Sequence, residues 1–405
     1  MKQTGKYGLP LEIKYCKKCT RSNQRPAVTQ EYLQTEKKKK QFVEIEKDIC
    51  GGCEFNYLKH NKINWKDREK QLEELCNKYR KSDGSFDVLV PGSGGKDSIY
   101  VAHQLKFKYN MNPLLCSWSP TMITKKGKEN LDAWINLGFK IKFNEVNKEL
   151  HRVLTKLSFL NLCHPFQPFI IGQKNFAPNV ARKNNIKLIM FGEHDVEFGS
   201  DLERWNEPTM KLDRFTQDKI DYNEIFLGGL QINEIIKRYN FTLKDLKDYM
   251  PIQTDEFRSS GVEFHYFSYY KKWNFHDNYY YVIENSNFLP EEERIQGSYD
   301  KYASMDDKID YLHFYTYYIK FGMGRATSAT EQEIRAGVIN RDEGIALVKR
   351  FDSEFPSKYF QDYLDYMQID KTEFHDVIEK ARPEHLWKKN RNKWVLKKPI
   401  WEANK

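Results

Sequence analysis

The arrangement of apolar and polar positions along the chain changes at residue 86. Between residues 86 and 191, short apolar runs alternate with longer amphipathic segments, which indicates strands and helices in turn. The pattern predicts strands at 86–90, 113–118, 139–143 and 186–191, and helices at 99–109, 128–137 and 175–184. This alternation predicts an α/β domain whose parallel sheet is covered on both faces. Ligands of such a sheet bind at the carboxyl ends of its strands.

The segments on either side of this region have different patterns. Residues 1–62 are polar and rich in turn residues, with a run of lysines at 37–40, and residues 67–79 predict an amphipathic helix. Beyond residue 200 the pattern is mostly helical and aromatic, and residues 264–281 contain ten Phe, Tyr or Trp residues. Capping-box sequences that begin at Ser304, Ser328 and Thr330 predict two further helices, and residues 341–351 predict a third.

These changes of pattern divide the 405 residues into four successive parts. We expect a small N-terminal module at 1–62, a linker helix at 63–85 and the α/β domain at 86–260. A mostly helical region at 261–405 then completes the substrate site.

Composition excludes several classes of protein. With 40% hydrophobic and 30% charged residues the chain can form a real core, and global disorder is not expected. No apolar run approaches the length of a membrane-spanning helix, and the first residues lack the apolar segment of a secretory signal, so we expect a cytoplasmic protein. The net charge of +9 is compatible with a nucleotide or RNA partner but is not diagnostic, because acids accompany the lysines almost everywhere.

Four of the seven cysteines form two C-x-x-C pairs, Cys16 with Cys19 and Cys50 with Cys53. Four thiolates in this arrangement predict a tetrahedral, structural Zn²⁺ site; a redox pair or idle thiols are the alternatives. A site closed by four sulfurs has no open position for a substrate, so we assign it no catalysis. The module that it staples is too polar to form a core of its own.

The strongest chemical signal is the sequence Pro-Gly-Ser-Gly-Gly-Lys-Asp-Ser at 91–98, between a predicted strand and a predicted helix. Small residues let backbone amides converge on an anion, and the helix N-terminus adds its partial positive charge. Lys96 can neutralise phosphate charge and Asp97 can hold Mg²⁺. The sequence lacks the Gly-Lys-Ser/Thr ending of a Walker A loop, and an incidental turn is the alternative. The expected phosphate-binding residues are Gly92, Ser93, Gly94, Gly95, Lys96, Asp97 and Ser98.

The stretch Ser-Gly-Gly-Lys-Asp-Ser resembles the signature loop, or PP-loop, of the ATP pyrophosphatases. The resemblance implies an adenine nucleotide alpha hydrolase-like fold, in which the loop grips the β,γ-pyrophosphate of ATP. A substrate oxygen then attacks the α-phosphorus to give an adenylate, with Lys96 and Asp97 in catalytic roles. It also implies that Ser117, at the end of the second strand, borders the adenine.

The resemblance further places residues 191–199, after the fourth strand, opposite the reacting atoms. This segment carries the ionisable residues Glu193, His194, Asp195 and Glu197. Such groups can bind Mg²⁺ or move protons, and we take Glu193 and Asp195 as catalytic candidates. A solvated turn is the equally weighted alternative for any one of them.

Together the two motifs and the C-terminal half resemble the N-acetyl sugar amidotransferases of bacterial surface-glycan synthesis. These include enzymes linked to acetamidino derivatives of pseudaminic acid, legionaminic acid and O-antigen aminosugars. The most specific matches are Phe-Gly-Met-Gly-Arg-Ala-Thr-Ser-Ala at 321–329 and the tail at 387–401. The family's chemistry implies that an acetamido oxygen attacks ATP and that ammonia then displaces AMP, leaving an acetamidine. Arg325 would contact pyrophosphate or a sugar carboxylate; a structural pair at a helix end is the alternative.

The source of ammonia follows from the remaining cysteines. Cys76, Cys116 and Cys163 lack the glycine-flanked setting of a glutaminase nucleophile, so the chain is expected to receive ammonia from another subunit. The resemblance implies a separate glutaminase related to that of histidine synthesis, and a cyclase-like subunit. Neither membrane nor nucleic acid is an expected partner. A tRNA thiolase and a non-catalytic nucleotide-binding subunit are the competing hypotheses.

Overall fold

The computed structural model describes residues 4–27, 31, 34, 42–43 and 45–403, so the lysine run at 37–40 lies outside the described residues. The N-terminal part contains an antiparallel hairpin and two helices. These elements are β1 (Ile45–Glu46), β2 (Ile49–Cys50), α1 (Gly51–Asn61) and α2 (Trp65–Tyr79). Helix α2 begins at Asn64, whose side chain accepts from the amides of Lys66 and Asp67. The sequence predicted α2, whereas α1, which begins inside the second cysteine pair, was not expected.

The next part alternates strands with helices, as predicted. Its elements are β3 (Val88–Pro91), α3 (Lys96–His103), β4 (Pro113–Ser117), α4 (Lys125–Asn136), β5 (Lys140–Phe143), α5 (Lys148–Leu162), α6 (Gln167–Lys183) and β6 (Leu188–Phe191). Helix α5 was missed, α3 and α4 begin three residues earlier than expected, and α6 begins eight residues earlier.

Shorter elements follow in a region that returns to the sheet. They are β7 (Thr216–Gln217), β8 (Phe226–Leu227), β9 (Leu230–Gln231), α7 (Ile232–Tyr239), α8 (Leu243–Leu246), β10 (Ile252–Gln253), α9 (Thr254–Ser259), β11 (Glu263–Tyr266), α10 (Phe267–Tyr270) and α11 (Phe275–Asn285). The main sheet has the order β11-β6-β3-β4-β5 with every pairing parallel. The carboxyl ends of β3 and β6 therefore lie side by side.

Strand β11 lies beyond residue 260, in a region that is otherwise mostly helical. It pairs with β6 from Glu263 opposite Leu188 to Tyr266 opposite Phe191. Phe264, His265 and Tyr266 are all buried, so the strand has no polar face to reveal its two-residue period. The sheet thus includes residues on both sides of position 260.

The sheet is covered on both faces, as expected for a parallel sheet. Val88 and Val90 of β3 belong to one apolar cluster with Trp134 of α4. The intervening Leu89 belongs to another cluster, with Ala177 of α6. Alternate side chains of one strand therefore reach two different helical layers. Within the described ranges, no helix has the length and apolarity that a membrane span requires.

The C-terminal part is helical and ends in a hairpin. Its elements are α12 (Lys308–Phe321), α13 (Arg325–Ala336), α14 (Arg341–Phe351), α15 (Phe360–Met367), α16 (Lys371–Ala381), β12 (Trp387–Asn390) and β13 (Lys393–Leu396). All three predicted helices are present, but two of them begin elsewhere than the capping boxes indicated.

The caps of α12 and α13 are not those predicted. Asp307, not Ser304, caps α12, since its carboxylate accepts from the Ile309 amide at 2.8 Å. Helix α13 begins before Ser328 and Thr330, which lie inside it. Its first amides are capped from a distance: Asp352 accepts from the amides of Gly324 and Thr327 at 2.8 Å each. A local sequence motif cannot reveal a cap that is supplied by a residue 25 or more positions away.

Candidate active site and metal centre

The glycine-rich loop turns tightly at the carboxyl end of β3. Gly94 has φ +91°, and a Cβ there would lie 3.0 Å from the Leu131 amide nitrogen of α4. A Cβ on Gly92 would lie 2.3 Å from that of Ser98. Glycine is therefore required at both positions. Gly95 caps α3 without a side-chain acceptor, so the first amides of the helix face the loop. This geometry suits a phosphate group.

The loop opens onto a cavity of about 390 Å³. One wall comes from the carboxyl ends of β3 and β6, and the opposite wall comes from α11, α12, α13 and the segment before α12. The wall residues that bear on the chemistry include Arg25, Lys96, Asp97, Glu193, Ser304, Arg325 and Glu333. Residues of the α/β region and of the C-terminal region therefore line one cavity.

Lys96, Asp97 and Glu193 form the charged group beside the loop. The buried Lys96 Nζ lies 2.6 Å from a carboxylate oxygen of Asp97 and 5.0 Å from the centre of the Phe275 ring. Burial and the Asp97 carboxylate raise the pKa of Glu193 to about 8, and Lys96 opposes that shift. Two carboxylates beside a phosphate loop are the hard oxygen donors that Mg²⁺ prefers, so the residues fit this ion.

The other acids after β6 have partners outside this cavity. Asp195 lies 3.3 Å from the Arg214 guanidinium, and Glu197 lies 2.6 Å from Lys59 Nζ. His194 is buried, and its Nδ1 accepts from the Val196 amide. Of the four ionisable residues that follow β6, Glu193 alone lines the cavity beside the loop. Because both His194 and Glu197 are buried, the segment is not a solvated turn.

Ser117 lies at the end of β4 and is fully buried. Its backbone oxygen accepts from the Asn144 amide, while its hydroxyl has no hydrogen-bond partner. It is not part of the cavity wall. Its expected contact with adenine therefore stays a prediction.

Arg325 projects from the start of α13 into the cavity wall with only 3% of its surface exposed. Its Nη2 donates to the carbonyl oxygens of Ala303 and Ser304 and lies 3.7 Å from Asp310. Its Nε and Nη1 are buried without a hydrogen-bond partner. Because a buried guanidinium nitrogen without an acceptor is costly, an anionic ligand would stabilise this arrangement.

Two other residues at the site carry no functional signal in the sequence. Asp306, just before α12, accepts a hydrogen bond from Ser93 of the loop, and burial raises the pKa of its carboxyl group. Its backbone oxygen accepts from Thr124, the cap of α4. Arg25, from the cysteine module, lines the cavity and lies 3.6 Å from Glu331. Arg25 belongs to no motif, and the capping-box sequence that contains Asp306 predicts only a helix start, so the tertiary fold alone brings both residues to the site.

The structure confirms that the four cysteines of the two C-x-x-C pairs come together. Their Sγ atoms all lie within 4.8 Å of one another. Cys16 and Cys53 are 3.8 Å apart, and Cys19 and Cys50 are 3.6 Å apart. A tetrahedral Zn²⁺ with Zn–S bonds of about 2.3 Å separates its sulfurs by about 3.8 Å. The four thiols therefore fit zinc in both number and spacing.

Helix α13 and the residues after it hold this cluster. Arg335 Nη2 lies 3.9 Å from the sulfurs of Cys19 and Cys50. Arg341 donates to the backbone oxygens of Cys16 and Cys19. These cations offset the negative charge that four thiolates leave on a zinc site. The cysteine cluster thus lies against the same helix that carries Arg325.

We predict one tightly bound Zn²⁺ per chain. The expectation rests on the sulfur spacing and on the cationic residues around the four thiols. Elemental analysis of freshly purified protein should find about one equivalent of zinc and no iron. A content below half an equivalent, in protein that is folded by circular dichroism, would contradict the assignment.

Two comparisons with known proteins bear on this site. Residues 296–400 match the family model described as LPS biosynthesis protein WbpG-like, C-terminal domain. The chain is also 32% identical over 94 residues to the uncharacterized protein MJ1599 of Methanocaldococcus jannaschii. The aligned residues make up 23% of this chain and 33% of that protein. The match thus spans about a third of the length of this curated relative. Residues 296–400, which contain Ser304, Arg325 and Glu333 of the cavity wall, are therefore similar to a domain of lipopolysaccharide biosynthesis proteins.

Proposed function

We propose that the chain is an ATP-dependent amidotransferase that converts an acetamido group of a surface-glycan sugar into an acetamidino group. One observation carries the proposal. The glycine-rich loop, with Lys96 and Asp97, and the WbpG-like segment, with Ser304, Arg325 and Glu333, line a single cavity. A nucleotide and a glycan precursor would therefore meet in one place.

In the first step the acetamido oxygen attacks the α-phosphorus of ATP. A new O–P bond forms, and the bond from the α-phosphorus to the bridging oxygen of pyrophosphate breaks. The amides at the start of α3 and Lys96 Nζ bind the pyrophosphate and stabilise its developing charge. Asp97 and Glu193 would hold Mg²⁺, which supplies further charge neutralisation for this leaving group.

In the second step ammonia attacks the activated amide carbon. The C–N bond forms and the C–O bond to AMP breaks. The phosphate of the departing AMP takes one proton from the incoming nitrogen. The product is an amidine, which is cationic near neutral pH. Arg25 and Arg325 would bind anionic groups of the sugar, and the nearby Tyr302 and Phe314 offer apolar faces to its ring.

A tRNA thiolase is disfavoured by the state of the isolated cysteines. Cys116 is buried in β4, and burial raises the pKa of its thiol. Burial also raises the pKa of Cys163 to about 11. Neither residue lines the cavity that contains the loop. Both have the properties of unreactive core thiols.

The proposal is tested by supplying ATP, Mg²⁺ and ammonium with either acetamido sugars or bulk tRNA. We expect AMP to form only with an acetamido sugar, and mass spectrometry should show oxygen replaced by NH. Turnover should rise with pH, because only unprotonated ammonia is nucleophilic. Glutamine should not replace ammonium unless a separate glutaminase is added, since none of the isolated cysteines lies in a glutaminase setting.

Two results would contradict the proposal in different ways. AMP formation with tRNA alone would indicate that the protein is a tRNA thiolase. Amidine formation from glutamine by this chain alone would reveal a cysteine nucleophile that we have not recognised.

A further inference from the structure

A second cavity, of about 230 Å³, adjoins the larger one. Asn274, Phe275, Gln332 and Ala336 line both cavities and so form the partition between them. The outer wall belongs to α1, which follows directly from the cysteine cluster. It contains Gly52, Asn56, Lys59 and His60.

The wall of this second cavity carries both a free acceptor and a free donor. Glu197 is 7% exposed, and its Oε1 has no hydrogen-bond partner, while its other oxygen binds Lys59 Nζ at 2.6 Å. Arg335 has a side chain that is 8% exposed, and its Nε likewise has no partner. A buried pair of this kind suits a small polar molecule that can both donate and accept.

The charges on the same wall balance one another. Lys59 and Lys272 oppose Glu197 and Asp277, and the charge of Arg335 is already offset by Glu331 and the cysteine sulfurs. Burial, Lys272 and Lys59 lower the pKa of His60. A wall without excess negative charge does not attract an ammonium ion, whereas neutral ammonia can accept from Arg335 and donate to Glu197.

We propose that the second cavity is the entrance by which neutral ammonia reaches the activated amide in the larger cavity. This inference rests on the proposed function. ATP and the sugar would fill the larger cavity and its mouth, so a separate approach is needed for the nitrogen nucleophile. Phe275, whose ring also contacts Lys96 Nζ, lies in the partition that ammonia must pass.

The substitution Asn56→Trp tests the entrance, because it fills the second cavity from α1 and does not touch the larger one. We expect the KM for ammonium to rise severalfold and the amidine formed per AMP to fall. Exchange of labelled pyrophosphate into ATP, driven by the acetamido sugar, should stay at the wild-type level. Glu54→Trp is the matched control, since Glu54 is exposed on the same helix and lines neither cavity.

Ala336→Trp narrows the partition from α13 and gives a second measurement of the ammonium KM; because Ala336 also lines the larger cavity, pyrophosphate exchange is measured on the same variant. A wild-type KM in both variants would overturn the proposal. So would a loss of pyrophosphate exchange in folded Asn56→Trp protein, because the cavity would then serve adenylation. If the wild-type protein shows no exchange that depends on an acetamido sugar, the proposed function fails first and separately.

Discussion

Asp97→Asn is expected to lower AMP formation by at least about 1000-fold while leaving the fold intact. The carboxylate lies beside the phosphate loop, 2.6 Å from Lys96 Nζ, and shares the cavity wall with Glu193. Replacing it by an amide removes a negative charge and leaves only one of the two carboxylates that fit Mg²⁺. The negative charge that develops on pyrophosphate in the transition state would then lose several kcal/mol of stabilisation.

The Asn side chain has nearly the same volume, and about a quarter of the Asp97 side chain is exposed, so the core should not change. Circular dichroism, thermal unfolding and zinc content should match those of the wild type. Asp132→Asn, at an exposed position of α4, is the control and should keep full activity. AMP formation near the wild-type rate by a folded Asp97→Asn protein would remove Asp97 from the mechanism.

Local patterns predicted the alternating strands and helices well, because each of those elements has its own period. Strand β11 escaped prediction because its residues are buried on both faces and lie in an aromatic stretch. The starts of α12 and α13 were misplaced for another reason. Asp352 caps α13 from across the fold, and no spacing between neighbouring residues encodes such a contact.

The candidate site likewise has some features that the local sequence predicts and others that only the fold reveals. The loop and the cysteine pairs are short motifs whose geometry follows from adjacent residues, and the cysteine cluster is present as predicted. Glu193 and Asp195 look equivalent in sequence, yet only the fold shows that Glu193 faces the cavity and Asp195 pairs with Arg214. Arg25 is brought to the cavity by the docking of the cysteine module on α13.

That docking connects the cysteine cluster to residues outside its own module. Arg21 and Glu331 form a fully buried ion pair between the module and α13. Arg335, from the same helix, contacts both the cysteine sulfurs and Glu331. Removing one member of such a network leaves a buried charge without compensation. The wall that contains Arg325 is thus coupled to the four thiols through α13.

Cys50→Ser is therefore expected to release zinc, unfold the N-terminal module and abolish amidine formation. In small zinc modules about 10 kcal/mol of metal binding is coupled to folding, which exceeds what a polar segment of this size can replace. Without the thiolates, Arg335 loses its anionic partner, and Arg25 is no longer held at the cavity. The distant loop should keep its own structure, so that ATP still binds while turnover is lost.

Zinc analysis, thermal unfolding and limited proteolysis decide the matter. We expect less than one equivalent of zinc, a lower melting temperature and new cleavage before residue 62. Cys163→Ser is the matched control, since Cys163 is a buried thiol outside the cluster, and that variant should keep its zinc. Wild-type zinc content and activity in Cys50→Ser would show that neither the metal nor the docking of its module supports the cavity.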